Sequence, residues 1–385
     1  VKADSSAYSL TEHEWPALAA GTINLADAHA RHSLSSDSVR RISEVTQNLL
    51  ADSGSDYFEA ETWFREALTL HTGQHYPVRS SYLTYSASIA LDVIAKYLRS
   101  VRGPIGMLTP TFDSVPALFG RSGLDLVPVP EDRILPNCDT GFLDSLELGA
   151  LVVVAPNNPT GAVLTPDQAS ALLEWSARHD VLLVLDASFR MFDPMLKLDL
   201  VEMANGIGAD VTTVDDTGKT IPLHDTKVGV LTATRALARD LGSICTDVLL
   251  NVSELNIRML AALLEDDGPH GEAARARAVA AANQKHLEQR FGLTLGPPDE
   301  QAFQRSVAWL HMGADRDAVV DACRARSVQV LPGDRFYWDR DRDDTDNPGS
   351  QWIRVPLLRD KDLFNRGLEA LDSARRSVEA PRETV

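Results

Sequence analysis

The sequence predicts an α/β fold, with a mostly parallel sheet covered by helices and a smaller α+β domain after it. Two observations carry this expectation. Short, wholly apolar runs rich in β-branched residues, such as ALVVV from Ala150 and VLLVL from Val181, recur through the middle of the chain, as strands buried on both faces do. Between them lie segments such as SIALDVIAKYL, from Ser88, whose apolar residues return every three or four positions as on a helix.

Taken in order, residues 1–35 have little periodicity of their own and are expected to pack onto another part of the chain. IGMLTP and LDLVPVP read as short buried strands, with DSVPALFGRSG as a helix between them. After ALVVVAP, the stretch TPDQASALLEWSARHD opens on Thr165 and Pro166, a helix start signal. VLLVLD and ADVTTVDD are two further strands, and VGVLTAT is another apolar run. From Ser253 the pattern changes to two long helical segments, NIRMLAALLEDD and GEAARARAVAAANQKHLEQRF, divided by a Gly-Pro break. SVAWLHM, RDAVVDACRARS, VQVLPG and WIRVPLL then supply the strands and helices of the smaller domain. The breaker-rich DRDRDDTDNPGS, from Asp339, reads as a charged surface loop. The expected division is an N-terminal segment at 1–40, a large domain at 41–275 and a small C-terminal domain at 276–385.

Composition narrows the function. A net charge of −18 over 385 residues argues against a nucleic-acid partner, which needs clustered Lys and Arg, and suits a cationic small molecule as well as plain solubility. No run of about 18 apolar residues exists to cross a membrane as a helix, and VKADSSAYSLTEHEW does not read as a secretory signal. Cys138, Cys245 and Cys323 are too few and too scattered for a disulfide framework or a zinc site, which points to the cytoplasm.

In an open parallel sheet, ligands bind beyond the carboxyl ends of the strands. The residues that follow each apolar run are therefore the candidates. They are Pro110, Thr111 and Phe112; Asn157, Asn158, Pro159, Thr160 and Gly161; Asp186, Ala187, Ser188 and Phe189; and Asp215, Asp216 and Lys219. Asp186 ends a wholly apolar strand, so its carboxylate needs a cation or a donor, or else serves as a helix cap. Asn-Pro-Thr-Gly at 158–161 also makes an ordinary turn. Gly218-Lys219-Thr220 is no phosphate loop of the NTPase kind, because position 213 is Thr213 where that motif needs glycine.

A lysine that bonds to an aldehyde, an acid that protonates a pyridine and an amide beside a phenolic oxygen are what pyridoxal phosphate requires. In this order they make the chain resemble the fold-type I aminotransferase family over nearly its whole length. The resemblance implies that SASIALDVI is the phosphate site, with the N–H groups of Ser86, Ala87 and Ser88 facing the phosphate. It makes Phe112 in TPTF the aromatic stacked on the ring, Asn158 in NNPTG the ligand of the ring oxygen, and Asp186 the partner of the ring nitrogen. Lys219 becomes the lysine that carries the cofactor. Lys227 stands where the family commonly has a phosphate-binding arginine, supplying charge without the fork. Arg354 in WIRVPLL becomes the bidentate partner of the substrate α-carboxylate.

Two positions depart from an ordinary aminotransferase, and a third is expected to compensate. Phe189 replaces a tyrosine that donates to the ring oxygen, and Ser188 is expected to take over part of that polar contact. Asp216 replaces a phosphate-binding serine; repelled by phosphate, it is expected to turn elsewhere, toward a cationic substrate. With SLTEHEW and NLADAHARH near the N-terminus, these departures resemble the pyridoxal-phosphate-dependent L-arginine oxidases and hydroxylases of enduracididine-type antibiotic pathways, relatives of the capreomycidine synthases. That group implies an N-terminal segment closing over the substrate, with Thr11, Glu14 and His29 as its contributing residues and His32 as a rival for the histidine. Thr11 and Glu14 also have the spacing of a capping box. It further implies L-arginine as substrate with its guanidinium on Glu14 and Asp216, dioxygen as co-substrate, and His29 as acid or base in late steps. The products would be 4-hydroxy-2-oxoarginine and 2-oxoarginine, with peroxide and ammonia. A homodimer with sites at the interface is implied too, Tyr57 reaching the neighbouring phosphate or else serving as a core aromatic. The rival reading is a conventional aminotransferase acting on arginine or another basic amino acid.

Overall fold

The computed structural model describes residues 14–51, 56–135, 137–192, 196–223, 225–295, 305–313, 315–341, 344 and 346–379. The strands, in chain order, are β1 (Ile23–Leu25), β2 (Ser81–Thr84), β3 (Ile105–Thr109), β4 (Leu126–Pro130), β5 (Ala150–Val154), β6 (Leu182–Asp186), β7 (Val211–Asp216), β8 (Gly229–Ala233), β9 (Val307–His311), β10 (Val328–Pro332) and β11 (Trp352–Pro356). The helices of eight or more residues are α1 (Ser36–Ala51), α2 (Tyr57–Thr72), α3 (Ala87–Leu98), α4 (Ser114–Arg121), α5 (Pro166–His179), α6 (Leu200–Ile207), α7 (Arg235–Val248), α8 (Glu254–Leu264), α9 (Glu272–Phe291), α10 (Arg316–Arg324) and α11 (Lys361–Glu379).

Seven strands form the larger sheet in the order β2-β8-β7-β6-β5-β3-β4. Five of them, from β7 to β4, run parallel, while β8 is antiparallel to both β7 and β2. Side chains alternate faces along a strand, and here both faces are covered. Val152, Val184, Val214 and Leu231 pack with Ala90, Val93 and Ile94 of α3. Leu151, Val153, Leu183 and Leu185 pack on the other side with Leu172, Leu173 and Trp175 of α5. That two-sided burial is why these strands read as unbroken apolar runs. The expected start of α5 is a full capping box, Thr165 Oγ1 accepting from Gln168 N–H and Gln168 Oε1 from Thr165 N–H.

The smaller sheet has the order β1-β10-β11-β9, with β1 parallel to β10 and the other pairs antiparallel. Its core joins Leu310, Val330, Ile353 and Val355 to Phe364, Leu368 and Leu371 of α11 and to Ala276, Ala280 and Leu287 of α9. The packing expected of residues 1–35 thus includes a strand, Ile23–Leu25, that the sequence did not announce. The loop after Asp339 is less free than a surface loop: Trp338 Nε1 donates to Leu108 O at 2.8 Å, and Thr109 Oγ1 to Asp339 at 2.6 Å. Among the described residues no helix is long and apolar enough to cross a membrane.

Candidate active site

The carboxyl ends of β5, β6 and β7 bring Asn157 and Asn158, Asp186, and Asp216 to one edge of the larger sheet. Because β8 is antiparallel, its first residue joins them: Gly229 pairs with Asp216. Gly229 also lies under the start of α3, where a Cβ would stand 2.6 Å from Ser86 C and 2.8 Å from Ser86 O. Only a residue without a side chain lets that strand pass so close to the helix N-terminus.

Asp186 is buried, and Ser188 donates to its Oδ1 twice, from N–H at 3.0 Å and from Oγ at 2.5 Å. Burial pushes its pKa up, the two Ser188 bonds oppose that, the Asp216 charge adds to it and the Lys219 charge opposes it. Ser188 is thereby spent on Asp186, which corrects the expectation that it would serve the ring-oxygen side. A hydroxyl two residues beyond a buried carboxylate finds it before anything farther away. Phe189 packs with Ala28 and Val307, and the Lys219 Nζ lies 5.7 Å from its ring centroid.

Asn158 is buried, with its Oδ1 unpartnered among the described residues. Its neighbour Asn157 is tied down by donating to Pro110 O at 2.9 Å and to Glu131 at 2.6 Å. Phe112 packs with Phe336, Ala26 and Leu331, so it sits where the two sheets meet. Ser86 is the N-cap of α3, and Ser88 is exposed.

Asp216 goes against its expected direction. Its Oδ2 accepts from Ala87 N–H at 3.1 Å and its Oδ1 from Gly218 N–H at 2.8 Å, so the carboxylate lies on the N-terminus of α3 instead of turning away. Unpaired N–H groups at the positive end of a helix attract a carboxylate as they do a phosphate.

Lys219 ends a short 3₁₀ turn after β7, and its Nζ lies 3.4 Å from His29 Nε2. Lys227 Nζ is 2.9 Å from the same nitrogen. His29 Nδ1 is 2.5 Å from Asp27 Oδ1, and Arg31 Nε is 2.5 Å from Asp27 Oδ2. Burial would raise the Asp27 pKa, but the bond to His29 and the charges of His29, Arg359 and Arg31 hold it well below the carboxylate range. Burial and the Lys219 charge, with Lys227 adding to them, push the His29 pKa down, outweighing Asp27. His32, the rival, is buried with both ring nitrogens unpartnered among the described residues. Asp27 was missed by the sequence reading, although an acid two residues before His29 was in view.

Arg354, fully buried on β11, donates through Nη2 to Glu14 Oε1 at 3.0 Å and to Ala26 O. Among the described residues its Nε and Nη1 have no partner. Burial lowers its pKa and raises that of Glu14. Glu14 therefore meets the arginine of this protein, not an open guanidinium subsite, because an acid beside a buried arginine offsets its desolvation. Thr11 lies outside the described residues. Tyr57 opens α2 and packs at the edge of the core built from α2 and α8, as a core aromatic would.

The residues fit pyridoxal phosphate on their own geometry. Among the described residues there are a buried amide with an unpartnered oxygen, a buried arginine with two idle donors, and a buried acid with both Ser188 bonds on one oxygen and the Lys219 amine in charge range. Among the described residues Asp216 competes, since it holds the Ala87 N–H at the helix start where a phosphate would sit.

Comparison with known proteins agrees. The sequence model of the family described as "Aminotransferase class I and II" matches residues 64–371. Over 106 residues the chain is 30% identical to the LL-diaminopimelate aminotransferase of Chlamydia pneumoniae, covering 26% of this chain and 25% of that protein. It is 35% identical over 106 residues to the histidinol-phosphate aminotransferase of Rubrobacter xylanophilus, covering 26% of this chain and 30% of that protein. The chain thus spans less than a third of these curated relatives. The structure of MppP soaked with the product 2-ketoarginine is similar at a TM-score of 0.82 and 28% identity, over 91% of this chain and 99% of that one. LysN, the α-aminoadipate aminotransferase of Thermus thermophilus, shares the fold at a TM-score of 0.76 and 17% identity, over 97% of this chain and 96% of that one. This chain belongs to the class I and II aminotransferases, the pyridoxal-phosphate-dependent family of fold type I.

Proposed function

We propose that this protein oxidises L-arginine with dioxygen, giving 2-oxoarginine and 4-hydroxy-2-oxoarginine with peroxide and ammonia, in the manner of the arginine oxidases that feed enduracididine-type antibiotics. The observation that carries the proposal is the likeness to MppP, soaked with 2-ketoarginine, at a TM-score of 0.82 and 28% identity. The second reading, a conventional aminotransferase for arginine or another basic amino acid, is favoured by the local matches to the two aminotransferases named above.

When bound, pyridoxal 5′-phosphate supplies an aldehyde for the substrate amine and a protonated ring that draws off the electron pair left at Cα. In this reading Lys219 carries the cofactor and then takes the proton from the substrate Cα. Asp186, ionised by its ring partner, keeps the proton on the pyridine nitrogen. Asn158 fixes the ring oxygen, Phe112 covers the ring face, and Ser86, Ala87, Ser88 and Lys227 hold the phosphate. Arg354 takes the substrate carboxylate as a bidentate pair through Nη2 and one of its open neighbours, Nε or Nη1, once Glu14 gives up Nη2. Glu14 and Asp216 reach a substrate guanidinium only by leaving Arg354 and the start of α3, which hold them here. His29 moves protons in late steps, as the group between two lysine amines and an aspartate. A homodimer in the cytoplasm completes the proposal, with Tyr57 reaching the partner's phosphate.

The test is to incubate the holoenzyme with L-arginine in air and no keto acid. Oxygen uptake with peroxide release is the expected result. Turnover that waits for a keto acid, with no oxygen consumed, overturns the oxidase reading in favour of the aminotransferase.

A further inference from the structure

We propose that Asp27 is the positioning residue that holds His29 with its proton on Nδ1, so that a bare Nε2 faces the amines of Lys219 and Lys227. This rests on the reading in which Lys219 and His29 move protons.

The geometry leaves His29 one arrangement. Asp27 Oδ1 accepts from the His29 backbone N–H at 2.9 Å and lies 2.5 Å from Nδ1, while Oδ2 accepts from Arg31 Nε at 2.5 Å. An ionised carboxylate only accepts hydrogen bonds, so Nδ1 must carry the proton. The other ring nitrogen then presents a lone pair to two amines, at 2.9 Å from Lys227 and 3.4 Å from Lys219. Charged groups face this unit from every side. Lys219 and Lys227 flank the imidazole, Arg31 and Arg359 flank Asp27, and Glu14 and Arg354 lie within charge range of Asp27.

The aspartate is itself fixed. Its N–H donates to Asn24 Oδ1 at 3.0 Å, and its carbonyl accepts from Arg359 Nη2. Arg359, almost fully buried, also donates to Asn24 O at 2.7 Å and to His29 O at 2.9 Å. One arginine thus pins the turn before and after Asp27, and Ala30 N–H reaches Gly218 O at 3.2 Å, beside Lys219. A proton that passes from Lys219 Nζ to His29 Nε2 leaves a free amine and an imidazolium, whose charge Asp27 balances. No further reactant is needed.

Asparagine at position 27 cannot reproduce this pattern. It has one acceptor oxygen, whereas His29 N–H, Nδ1–H and Arg31 Nε–H approach two. Turning the amide nitrogen toward the ring favours the other tautomer, with the proton on Nε2.

The experiment is nitrogen-15 NMR of selectively labelled histidines in the holoenzyme, the His29 signals being those lost in His29→Gln. The wild type is expected to show protonated Nδ1 and bare Nε2, and Asp27→Asn to shift toward the reverse. The same variant should lose ~100-fold in kcat with KM little changed, the scale of a misplaced general base. Arg31→Gln, which leaves the Asp27–His29 contact in place, should keep the wild-type signals. A wild-type His29 protonated on Nε2 overturns the inference without any variant. So does an unchanged tautomer in Asp27→Asn, or an equal shift in Arg31→Gln. The tautomer is read without turnover, so a holoenzyme that consumes no oxygen refutes the proposed reaction and leaves this test standing.

Discussion

Arg354→Lys is the substitution whose size the structure lets one work out. The guanidinium is wholly buried, spends Nη2 on Glu14 and Ala26, and keeps Nε and Nη1 free. With Nη2 released by Glu14, either open nitrogen pairs with it to grip a substrate carboxylate through two charge-assisted bonds, each of ~1.5–3 kcal/mol. A lysine keeps the charge but brings a single nitrogen, so one of the two is lost. At ~1.36 kcal/mol per factor of ten, kcat/KM for arginine should fall ~10- to 150-fold. The assay is steady-state kinetics with L-arginine beside agmatine, the same molecule without its α-carboxylate. Arginine should lose most of its advantage over agmatine in the variant. A kcat/KM for arginine within ~3-fold of wild type would refute the reasoning, as would an equal loss for both substrates.

Other expectations follow from buried charge. Arg190 binds Asp215 through Nε at 2.8 Å and Nη2 at 3.2 Å, and Tyr76 OH donates to the same acid at 3.1 Å. Arg190→Met strands that carboxylate at a cost of ~3–5 kcal/mol, or ~4–6 °C in a thermal melt for a chain of 385 residues. Adding Asp215→Asn should recover part of the loss, and strict additivity in the double-mutant cycle would count against the pairing. His32 is held at about 4 by burial against an unfolded value of 6.5. Its folded pKa is depressed, so its contribution is full above the unfolded value and is lost as pH falls toward the folded one. That amounts to ~3 kcal/mol, and His32→Leu should flatten the fall in urea stability across that window; an unchanged slope would reject it. Borohydride treatment of the holoenzyme should fix the cofactor to Lys219, and attachment at another residue in peptide mapping would displace Lys219 from its role.

What could be read in advance follows from how local each signal is. β5, β6 and β7 are apolar from end to end because both faces are covered, and Asp186 and Lys219 stand out by position just beyond them. β1 and β2, of three and four residues, are too short to show a period. Glu14 and Asp216 were recognised as chemistry-bearing but aimed wrongly. Their partners, Arg354 and the Ala87 N–H, lie 340 and 129 residues away. Asp27 was passed over for the same reason: it gains its meaning from Lys219, Lys227 and Arg359, which only folding brings together. Ser188 was misread for the opposite reason, its partner being only two residues off.

The short strand Ile23–Leu25 has a consequence for anyone recombining this protein with its relatives. It is the edge of the sheet that carries Arg354, and the turn leaving it bears His29. Residues 14–40 are accordingly no detachable accessory. A chimera that imports them must import β10, β11 and Arg359 as well, or it will graft a histidine onto a frame that cannot aim it.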